Sequence, residues 1–408
     1  MLLDEIIFES VEQYLHLERY VNVGSNSGFD IIHTTSIETS AKGDADSFTL
    51  YCLDYPENIN VFEYGIKPDF FSWKMLIHPD MINEEMFKIC KSIKKSNLIV
   101  SPTASSRTVK IRDENGWFIK LNYKGLLGRI DRNLGKKHAS SAIEVSNIIE
   151  SAIDNNLLPN FFYIMREKFA RVVELFDNGK PYGWGMVLRE PNVYPRNPNI
   201  KFLIPAFSLF SIDEKKVNDP TLLYQLFLKQ DKQIEDFLFE DLIAPIYESY
   251  FTLILKCGLH LESHAQNTMI AIDENYKIIG IVAKDMESID KDLTLIEELN
   301  LNISFTENSY KCISKNLGNN YYKQHSFMFD FKLGEYLITN IIENATFCVP
   351  EIDKLSLISK IKKLNNFFIE QLPSNFFLSN NKWYSDEKIV RDRTKKKEYL
   401  ENFNPKYR

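Results

Sequence analysis

A β-hairpin predicted around residue 275 constrains the fold of this chain more than any other feature of its sequence. Apolar and β-branched residues fill segments 268–272 and 277–283, and residues 273–275 between them are typical of turns. In an antiparallel hairpin, the start of the first strand lies beside the end of the second. The hairpin therefore predicts that Asn267 lies close to Asp285.

Polar side chains are concentrated just before this hairpin, where Glu262, His264, Gln266 and Asn267 fall within six residues. A carboxamide and carboxylates that converge at the mouth of a hairpin can bind a divalent metal ion together with nucleotide phosphates. The alternative is an ordinary solvated loop before a strand. Local spacing alone does not decide between these two interpretations.

The length and charge of the chain exclude one broad class of function. A chain of 408 residues suits two or three domains, or one two-lobed enzyme. Its formal net charge of −7 argues against a nucleic-acid-binding surface, because neutralising phosphates requires a basic field. Residues 391–397 are locally basic, which indicates a solvated helix face or, alternatively, the lining of a pocket for an anionic substrate.

The cysteines and the hydropathy pattern indicate a cytoplasmic protein. The five cysteines are widely spaced and include no C-x-x-C pair, so the sequence predicts neither a disulfide framework nor a zinc site. The first fifteen residues carry acids and no basic segment, which is untypical of a signal peptide. No apolar run approaches the ~20 residues of a membrane span. We expect a soluble protein that does not bind membranes.

The order of predicted elements favours an α+β fold, with a strand-rich first part and a helix-rich second part around the central hairpin. An opening helix is predicted over 4–20, and a second hairpin over 109–122. The remaining helices are predicted at 83–96, at 140–155, from 160 to 173, and in several segments after residue 221.

The hairpin and the residues before it resemble one enzyme family. HAQN at 264–267, followed by an apolar hairpin and Asp285, is similar to the signature of NRPS-independent siderophore synthetases, the aerobactin-synthetase-like (IucA/IucC) family. That family has HGQN here, preceded by a helix that ends in a Leu-Glu pair, for which Leu261 and Glu262 stand in this sequence. The family's Arg-Asp pair after the hairpin is Lys284-Asp285 in this chain.

Several upstream motifs extend the resemblance from about residue 60 to the end of the chain. They are a Ser-x-Arg-Thr segment with Ser105, Arg107 and Thr108, then Lys120 and, twelve residues later, Arg132, a block at 187–190 with an Arg-Glu pair, and a closing Asn-Pro at 404–405. Two features depart from the family pattern. His78-Pro79 stands where the family has His-Pro-Trp-Gln, and the chain is shorter at its front than family members usually are.

The resemblance implies a hand-like, two-lobed architecture. Residues 1–170 would form a fingers-like nucleotide-binding lobe, and residues 171–408 a palm-like lobe that carries HAQN and a helical C-terminus. The family's helical thumb would be largely missing. Relatives in the family suggest a homodimer or a partner synthetase.

The resemblance also implies an activity, in which ATP and Mg²⁺ activate a citrate-like carboxylate for attack by an amine or hydroxylamine. The implied roles divide the site residues as follows: Ser105, Arg107, Thr108, Lys120 and Asn267 bind the nucleotide, Glu262 and Asp285 hold Mg²⁺, Arg132 and His264 act in catalysis and on the substrate, and Lys388 meets a substrate carboxylate.

Two other functions remain open at the level of sequence. The short front and Lys284 in place of Arg would suit a non-catalytic or repurposed paralogue that binds nucleotide or partners a full-length synthetase. A kinase-like phosphotransferase could use a similar hairpin with an Asn and an Asp, although the chain has no clear Gly-rich loop. The products separate these functions, since a ligase of this type releases AMP and pyrophosphate and a kinase releases ADP.

Overall fold

The computed structural model describes most of the chain. Residues 24–37, 42, 44, 83–89, 91, 106, 114–115, 128–129, 178–179, 307–308 and 386–398 lie outside the description, as do the side chains of 124–132 and 175–182. Lys388 and the basic run at 391–397 fall in the last of these segments. Arg132 is described in its backbone only.

Strands dominate the chain up to residue 189, and most of them are antiparallel. They are β1 (Val21–Val23), β2 (Phe48–Asp54), β3 (Val61–Gly65), β4 (Leu76–Ile77), β5 (Ser92–Pro102), β6 (Thr108–Ile111), β7 (Phe118–Leu121), β8 (Tyr123–Leu127), β9 (Ile130–Arg132), β10 (Phe162–Ile164), β11 (Glu167–Asp177) and β12 (Lys180–Arg189). Eight of these strands form one sheet in the order β3-β11-β12-β7-β6-β5-β2-β4. Its core includes Leu50, Val100, Ile119 and Leu188, all completely buried.

Shorter strands follow after residue 200. They are β13 (Phe202–Pro205), β14 (Ile212–Asp213), β15 (Leu259–His260), β16 (Thr268–Ile272), β17 (Ile278–Ala283), β18 (Asp290–Asp292), β19 (Cys312–Ile313), β20 (Lys382–Ser385) and β21 (Leu400–Phe403). The predicted hairpin is confirmed as β16 and β17, which pair antiparallel. These two strands lie at the centre of a second sheet, β10-β17-β16-β13. Every residue of β16 is buried, as its continuous apolar run requires.

Helices dominate the second half. They are α1 (Val11–Tyr20), α2 (Lys136–Asp154), α3 (Ala206–Phe210), α4 (Leu222–Leu228), α5 (Ile234–Asp236), α6 (Ala244–Cys257), α7 (Leu293–Glu298), α8 (Asn319–Ser326), α9 (Thr339–Cys348) and α10 (Lys354–Ile369), with π-helical segments at Phe237–Ile243 and Phe327–Ile338. Single 3₁₀ turns occur at Leu3–Glu5, Pro79–Met81, Met286–Ser288 and Lys315–Leu317. The largest core packs these helices against the hairpin, with Tyr247, Phe251 and Ile270 fully buried. None of the helices in the described part of the chain has the length and apolar character needed to cross a membrane.

The predicted α+β class is confirmed, but one predicted helix is wrong and another is wrong at its end; residues 83–89 and 91 of the helix predicted at 83–96 lie outside the described residues. Residues 92–96 of the helix predicted at 83–96 lie in β5, which pairs with β2 along its length. The helix predicted from 160 to 173 is replaced by β10 and β11. The second segment is rich in aromatic and β-branched residues, which favour strands. In both segments, pairing with neighbouring strands favours the strand over the predicted helix.

The sheet also continues past the lobe boundary predicted at residue 170. This residue lies within β11, which is paired on both sides, to β3 and to β12. Strand β12 in turn pairs with β7, so the strand-rich part of the chain extends to Arg189. The lobe boundary at residue 170 stays a prediction, and it would fall within β11.

Candidate active site

The mouth of the hairpin brings together the two residues that its pairing predicts to be neighbours. Thr268 pairs with Ala283, and the next backbone hydrogen bond runs from Lys284 N to Asn267 O over 3.0 Å. Asn267 Nδ2 donates to Ser288 Oγ at 3.2 Å, and Ser288 Oγ donates to the backbone oxygen of Asp285 at 2.7 Å. Asn267 and Asp285 therefore lie on one hydrogen-bonded loop.

Lys120 joins this loop to the large sheet. It lies on β7, opposite Thr108 on one side and Val187 on the other. Its ammonium group bonds to Asp285 and lies 2.6 Å from Glu287 Oε2. The Lys120 side chain is only 4% exposed and Glu287 9%, so their ion pair is almost free of competing water, whereas Asp285 is 26% exposed.

Two arginines complete this buried charge cluster. Arg107 Nη2 lies 3.7 Å from Glu287 Oε2. Arg189 Nη2 donates to Glu167 Oε1 at 2.7 Å and lies 3.7 Å from Asp285 Oδ1. We call this set the Lys120 cluster: its cations are Arg107, Lys120 and Arg189, and its acids are Glu167, Asp285 and Glu287.

The three acids of the Lys120 cluster differ in the direction in which their pKa values are shifted. Burial alone would raise the pKa of Asp285, but Lys120 and Arg189 outweigh it and hold that pKa well below its ordinary value. The pKa of Glu287 is also lowered, because Lys120 and Arg107 outweigh burial. Burial dominates at Glu167 and raises its pKa despite Arg189. The neighbouring cations therefore favour the ionised form of Asp285 and Glu287.

Glu262 lies in a second, neighbouring group of charges. Its Oε1 is 2.9 Å from Lys332 Nζ and 4.0 Å from His264 Nε2, and its Oε2 is 4.0 Å from Lys311 Nζ. Burial would raise the pKa of Glu262, yet Lys332 and Lys311 hold it well below the usual range. Lys311 Nζ also donates to Ser288 O at 2.7 Å, which links this group to the loop that carries Asp285.

The two predicted Mg²⁺ ligands, Glu262 and Asp285, are both linked to Ser288, Asp285 through its backbone oxygen and Glu262 through Lys311, and each has a lysine partner. Both are ionised carboxylates that present hard oxygen donors, as Mg²⁺ requires. The amide oxygen of Asn267 lies on the same loop as Asp285. The donor set fits Mg²⁺ in its chemistry, and binding of the ion would need one or both lysines to give up their carboxylate contact.

The Ser-x-Arg-Thr segment forms the tight turn that leads into β6. Arg107 N donates to Ser105 O at 2.7 Å, and Thr108 N donates to Ser105 Oγ at 3.1 Å. Leu121 N donates to Arg107 O at 2.9 Å, which anchors the turn to β7 next to Lys120. Ser105, Arg107 and Thr108 are therefore held beside the Lys120 cluster by backbone hydrogen bonds.

The other two predicted site residues are only partly described or lie outside the description. Arg132 ends β9, and its backbone pairs with that of Tyr123. Tyr123 directly follows Asn122, whose Oδ1 accepts from Leu134 N at 2.6 Å, so the backbone of this segment is tied to the end of β7. Lys388 lies outside the described residues.

His138, near the start of α2, is a site residue that the sequence motifs did not reveal. Burial lowers the pKa of His138, and the nearby charges of Arg107, Lys120 and Lys311 lower it further against the opposing effect of Glu287. Its ring packs on Tyr310, with the ring centroids 4.2 Å apart. Burial and nearby cations thus favour the neutral form of His138, which lies within electrostatic reach of both charge groups. A histidine in the first turn of a helix carries no distinctive pattern in a single sequence.

Glu287, Lys311 and Lys332 were also missed. Glu287 lies two residues after Asp285, a spacing that could have indicated a second carboxylate at the hairpin mouth. Lys311 directly precedes β19 and Lys332 lies in a π-helical segment, so neither position is predictable from local spacing.

Lys284, the residue after the hairpin, does not contact Asp285. Its Nζ lies 2.7 Å from Oε1 of the buried Glu18 on α1. Tyr14 OH donates to the same oxygen at 2.7 Å, and Ala104 N donates to the other oxygen at 3.2 Å. The cation that lies near Asp285 besides Lys120 is Arg189, which comes from a different strand.

Comparison with known proteins identifies the same group of enzymes in sequence and in fold. The NRPS-independent siderophore synthetase-like protein ankE of Aspergillus thermomutatus is 29% identical over 153 residues, which are 37% of this chain and 24% of that protein. The matched segment thus spans about a quarter of the length of this relative. A scan against protein-family profiles finds no match.

Two solved structures share the fold over almost the whole chain. ATP-bound aerobactin synthetase IucA from a hypervirulent pathotype of Klebsiella pneumoniae superposes with a TM-score of 0.69 at 13% identity, covering 97% of this chain and 79% of IucA. The petrobactin biosynthesis protein AsbB from Bacillus anthracis str. Sterne gives a TM-score of 0.67 at 14% identity, with 98% and 76% covered. The resemblance to siderophore synthetases that the sequence motifs indicate is confirmed.

Proposed function

We propose that this protein is an ATP-dependent, AMP-forming ligase that joins a citrate-like carboxylate to an amine or hydroxylamine. The observation that carries the proposal is the convergence of separate sequence motifs on one buried cluster. Arg107 and Lys120 come from the paired strands β6 and β7 and their lead-in turn, and Asp285 lies 165 residues after Lys120. The three residues meet within hydrogen-bonding or ion-pairing reach of Glu287 or of one another. The fold shared with an ATP-bound synthetase supports the assignment.

The proposed reaction has two steps. A substrate carboxylate oxygen attacks the α-phosphorus of ATP, the bond to the β-phosphate oxygen breaks, and pyrophosphate leaves. The amine nitrogen then attacks the acyl carbon of the acyl-adenylate, AMP leaves with the electrons of the acyl–oxygen bond, and the amine loses a proton. Both steps place negative charge on oxygens near phosphorus, so catalysis requires cations positioned in advance.

The chain supplies these cations in fixed positions. Lys120 and Arg107 are held on the large sheet, and on this proposal they exchange a carboxylate partner for phosphate oxygens when ATP binds. Ser105 and Thr108 present hydroxyl groups on the same turn, and Asn267 contacts the nucleotide from the hairpin. Arg132 and His264 would stabilise the substrate carboxylate and the transition state. Lys388 is retained as the proposed contact to a further substrate carboxylate.

Mg²⁺ would be held by Glu262 and Asp285, and when bound it supplies positive charge to the triphosphate. The Lys120 cluster sets three cations against two acids whose ionised form is favoured, Asp285 and Glu287, so at most about one positive charge is left over and an added triphosphate needs an added cation. The two carboxylates are ionised at neutral pH, which leaves them available as ligands.

The test is pyrophosphate release from Mg·ATP by the purified chain, with citrate and then 2-oxoglutarate, and with hydroxylamine as a surrogate amine. Carboxylate-dependent release of pyrophosphate and AMP is the expected result. Production of ADP would overturn the proposal in favour of a phosphotransferase. Measurable ATP binding without pyrophosphate release for any acid would overturn it in favour of a non-catalytic paralogue.

Two substitutions identify the residues responsible. His264→Ala and Arg132→Ala should each slow release on the order of 10²-fold or more, because each removes a group that stabilises the transition state. His16→Ala and Arg112→Ala are the matched controls. His16 bonds to Asp213 and Arg112 to Glu12, both outside the charge groups described above, so turnover should stay close to that of the unmodified protein.

A further inference from the structure

A second group of titratable side chains comes from segments that adjoin the candidate active site in the sequence. His260 on β15, Asp292 at the end of β18 and His325 on α8 point their polar atoms at one another. One nitrogen or oxygen atom from each lies within 4.8 Å of the other two, and all three residues are buried. The proposed ligase reaction uses none of them.

The distances show that both imidazoles face the same carboxylate oxygen. His325 Nε2 lies 2.8 Å from Asp292 Oδ2, and His260 Nε2 lies 3.1 Å from the same atom. The two rings are stacked, with centroids 4.8 Å apart and planes 12° apart. Three donor atoms of the types that zinc accepts therefore converge from three separate elements.

Hydrogen bonding at the far side of His325 fixes its orientation. His325 Nδ1 lies 2.7 Å from the backbone oxygen of Phe376, which only accepts hydrogen bonds, so Nδ1 carries a proton and donates. In a neutral ring, Nε2 then presents its lone pair to Asp292. A ligating histidine whose other nitrogen donates to a backbone carbonyl is the usual arrangement in protein metal sites.

Hydrogen bonds also fix the orientation of the Asp292 carboxylate. Leu295 N donates to Asp292 Oδ1 at 3.0 Å, and Tyr321 OH donates to the carboxylate at 2.9 and 3.1 Å. The ring of Phe376 stacks on His325 at 4.2 Å and closes one side of the group with an apolar surface. The group is thus oriented by its surroundings and shielded from water.

We propose that His260, Asp292 and His325 bind one divalent transition-metal ion, of which Zn²⁺ suits the ligands best. Imidazole nitrogens with a carboxylate oxygen favour zinc and its neighbours over Mg²⁺, which prefers oxygen ligands only. Tyr321 Oη lies 3.1 Å from Asp292 Oδ2 and is a candidate for a fourth position. The cysteine spacing predicts no zinc site, and this site uses none of the cysteines.

The ion would have a structural role, because it would hold in place the segments that form the candidate active site. His260 lies two residues before Glu262, and Asp292 follows the segment that carries Asp285 and Glu287. The neighbour of His325, Gln324, bonds to Asp290, which lies 3.9 Å from Lys311. One buried ion would therefore hold the segment that leads to Glu262 next to the end of the segment that carries Asp285 and Glu287. The ion would not contact the substrate.

The test measures metal binding by the full chain, purified without a histidine tag. After chelation and removal of the chelator, the protein should take up one equivalent of Zn²⁺, and Co²⁺ should give the intense visible absorption of a four-coordinate site. Zinc should also raise the melting temperature, because a ligand that binds only the folded state stabilises it. Wild-type protein that takes up no zinc or cobalt overturns the proposal, whatever the variants do.

Substitutions then locate the ion. His260→Gln and Asp292→Asn retain the size of each side chain and should abolish both stoichiometric uptake and the cobalt spectrum. The matched control is His16→Gln, since His16 lies 2.8 Å from the carboxylate of Asp213 but is paired with no second imidazole among the described residues. Uptake that persists in both cluster variants, or that is lost in His16→Gln, contradicts the assignment. Because uptake is measured without ATP or acid substrate, this result is independent of the proposed ligase activity.

Discussion

The ammonium group of Lys120 lies 2.6 Å from the carboxylate of Glu287, which joins the centre of the large sheet to the loop after the hairpin. The side chains are 4% and 9% exposed, so neither charge is well solvated. Removal of one partner from a buried pair leaves an uncompensated charge and costs roughly 3–5 kcal/mol. This contact therefore links the large sheet to the hairpin sheet at the candidate site.

Lys120→Met should therefore destabilise the protein by roughly 3–5 kcal/mol and also abolish ATP binding. Urea unfolding and a nucleotide-binding titration measure the two effects. Lys74→Met is the matched control, because Lys74 pairs with Asp54 at 2.7 Å on the surface, where the side chains are 56% and 44% exposed. Equal unfolding midpoints for the two variants would contradict a buried role for Lys120.

The pair between Lys284 and Glu18 predicts strong coupling between the first helix and the hairpin. Glu18 is 3% exposed, and burial would raise its pKa, but Lys284 outweighs burial and lowers it. Lys284→Met should cost roughly 3–5 kcal/mol, whereas the double variant with Glu18→Gln should recover much of this loss. Unfolding of the four members of the cycle measures the coupling, and additive effects would contradict it.

His78 predicts how stability depends on pH. The ring is buried between Phe48 and Tyr123, and burial lowers its pKa to about 4 against the opposing effect of Asp80. The unfolded chain binds a proton near pH 6.5, so between these two values it binds more protons than the folded chain. This contribution to stability is therefore complete above about pH 6.5 and is lost as the pH falls towards about 4.

His78→Gln should make the unfolding midpoint less sensitive to pH in this range. Gln retains an acceptor for Asp80 N, which donates to His78 Nδ1 at 3.3 Å, and it does not titrate. Urea unfolding at several pH values measures the slope. His16→Gln provides the comparison, because His16 is 27% exposed. An unchanged slope in His78→Gln would show that other groups control the acid limb.

Charge balance in the Lys120 cluster predicts that ATP binding requires a divalent cation. Its three cations face Asp285 and Glu287, whose ionised form is favoured, so the cluster does not offset the negative charge of a triphosphate. Omission of Mg²⁺ should weaken nucleotide binding at least on the order of 10-fold, or about 1.4 kcal/mol. Glu262→Gln and Asp285→Asn should reduce this Mg²⁺ dependence. Nucleotide affinity that is equal with and without Mg²⁺ would contradict the assignment of the metal ligands.

The sequence predicted the parts of the site that depend on local pattern. The hairpin follows from two apolar runs around a turn, and its antiparallel pairing placed Asn267 beside the segment that carries Asp285. The Ser-x-Arg-Thr motif and Lys120 were found because their resemblance to family motifs is local. In the structure Thr108 pairs with Lys120, which explains why these two motifs occur together.

The parts that were missed depend on contacts between distant segments. His138 and Lys311 lie at the site because α2 and the loop before β19 pack against it. The hydrophobic periodicity of a single segment gives no information about such packing. The helix predicted over residues 160–173 was wrong because β10 and β11 gain partners far away in the sequence. The partner of Lys284 was also unpredictable, since Glu18 lies on the first helix.

Gly258 gives the last prediction, because it ends α6 and starts the segment that leads to Glu262 and His264. Its φ of 62° is left-handed, and its backbone N–H donates to Ile254 O at 2.8 Å. A Cβ added here would lie 2.5 Å from Ile296 Cγ1, so α7 would have to move.

Gly258→Ala should therefore combine two costs, whereas Gly318→Ala should show only one. Gly318 also has a positive φ of 57°, but its ψ is −138° instead of 28°, and a Cβ added there meets nothing within 4 Å. The control should lose roughly 1–3 kcal/mol from its backbone conformation alone. Gly258→Ala should lose about 1–2 kcal/mol from the left-handed conformation and about 1–3 kcal/mol more from overpacking against Ile296. Because α6 sets where the HAQN segment begins, Gly258→Ala should also weaken ATP binding, while Gly318→Ala should leave it unchanged. Urea unfolding and a nucleotide titration on both variants measure these differences. Equal effects of the two substitutions would show that contact with α7 does not position the start of the HAQN segment.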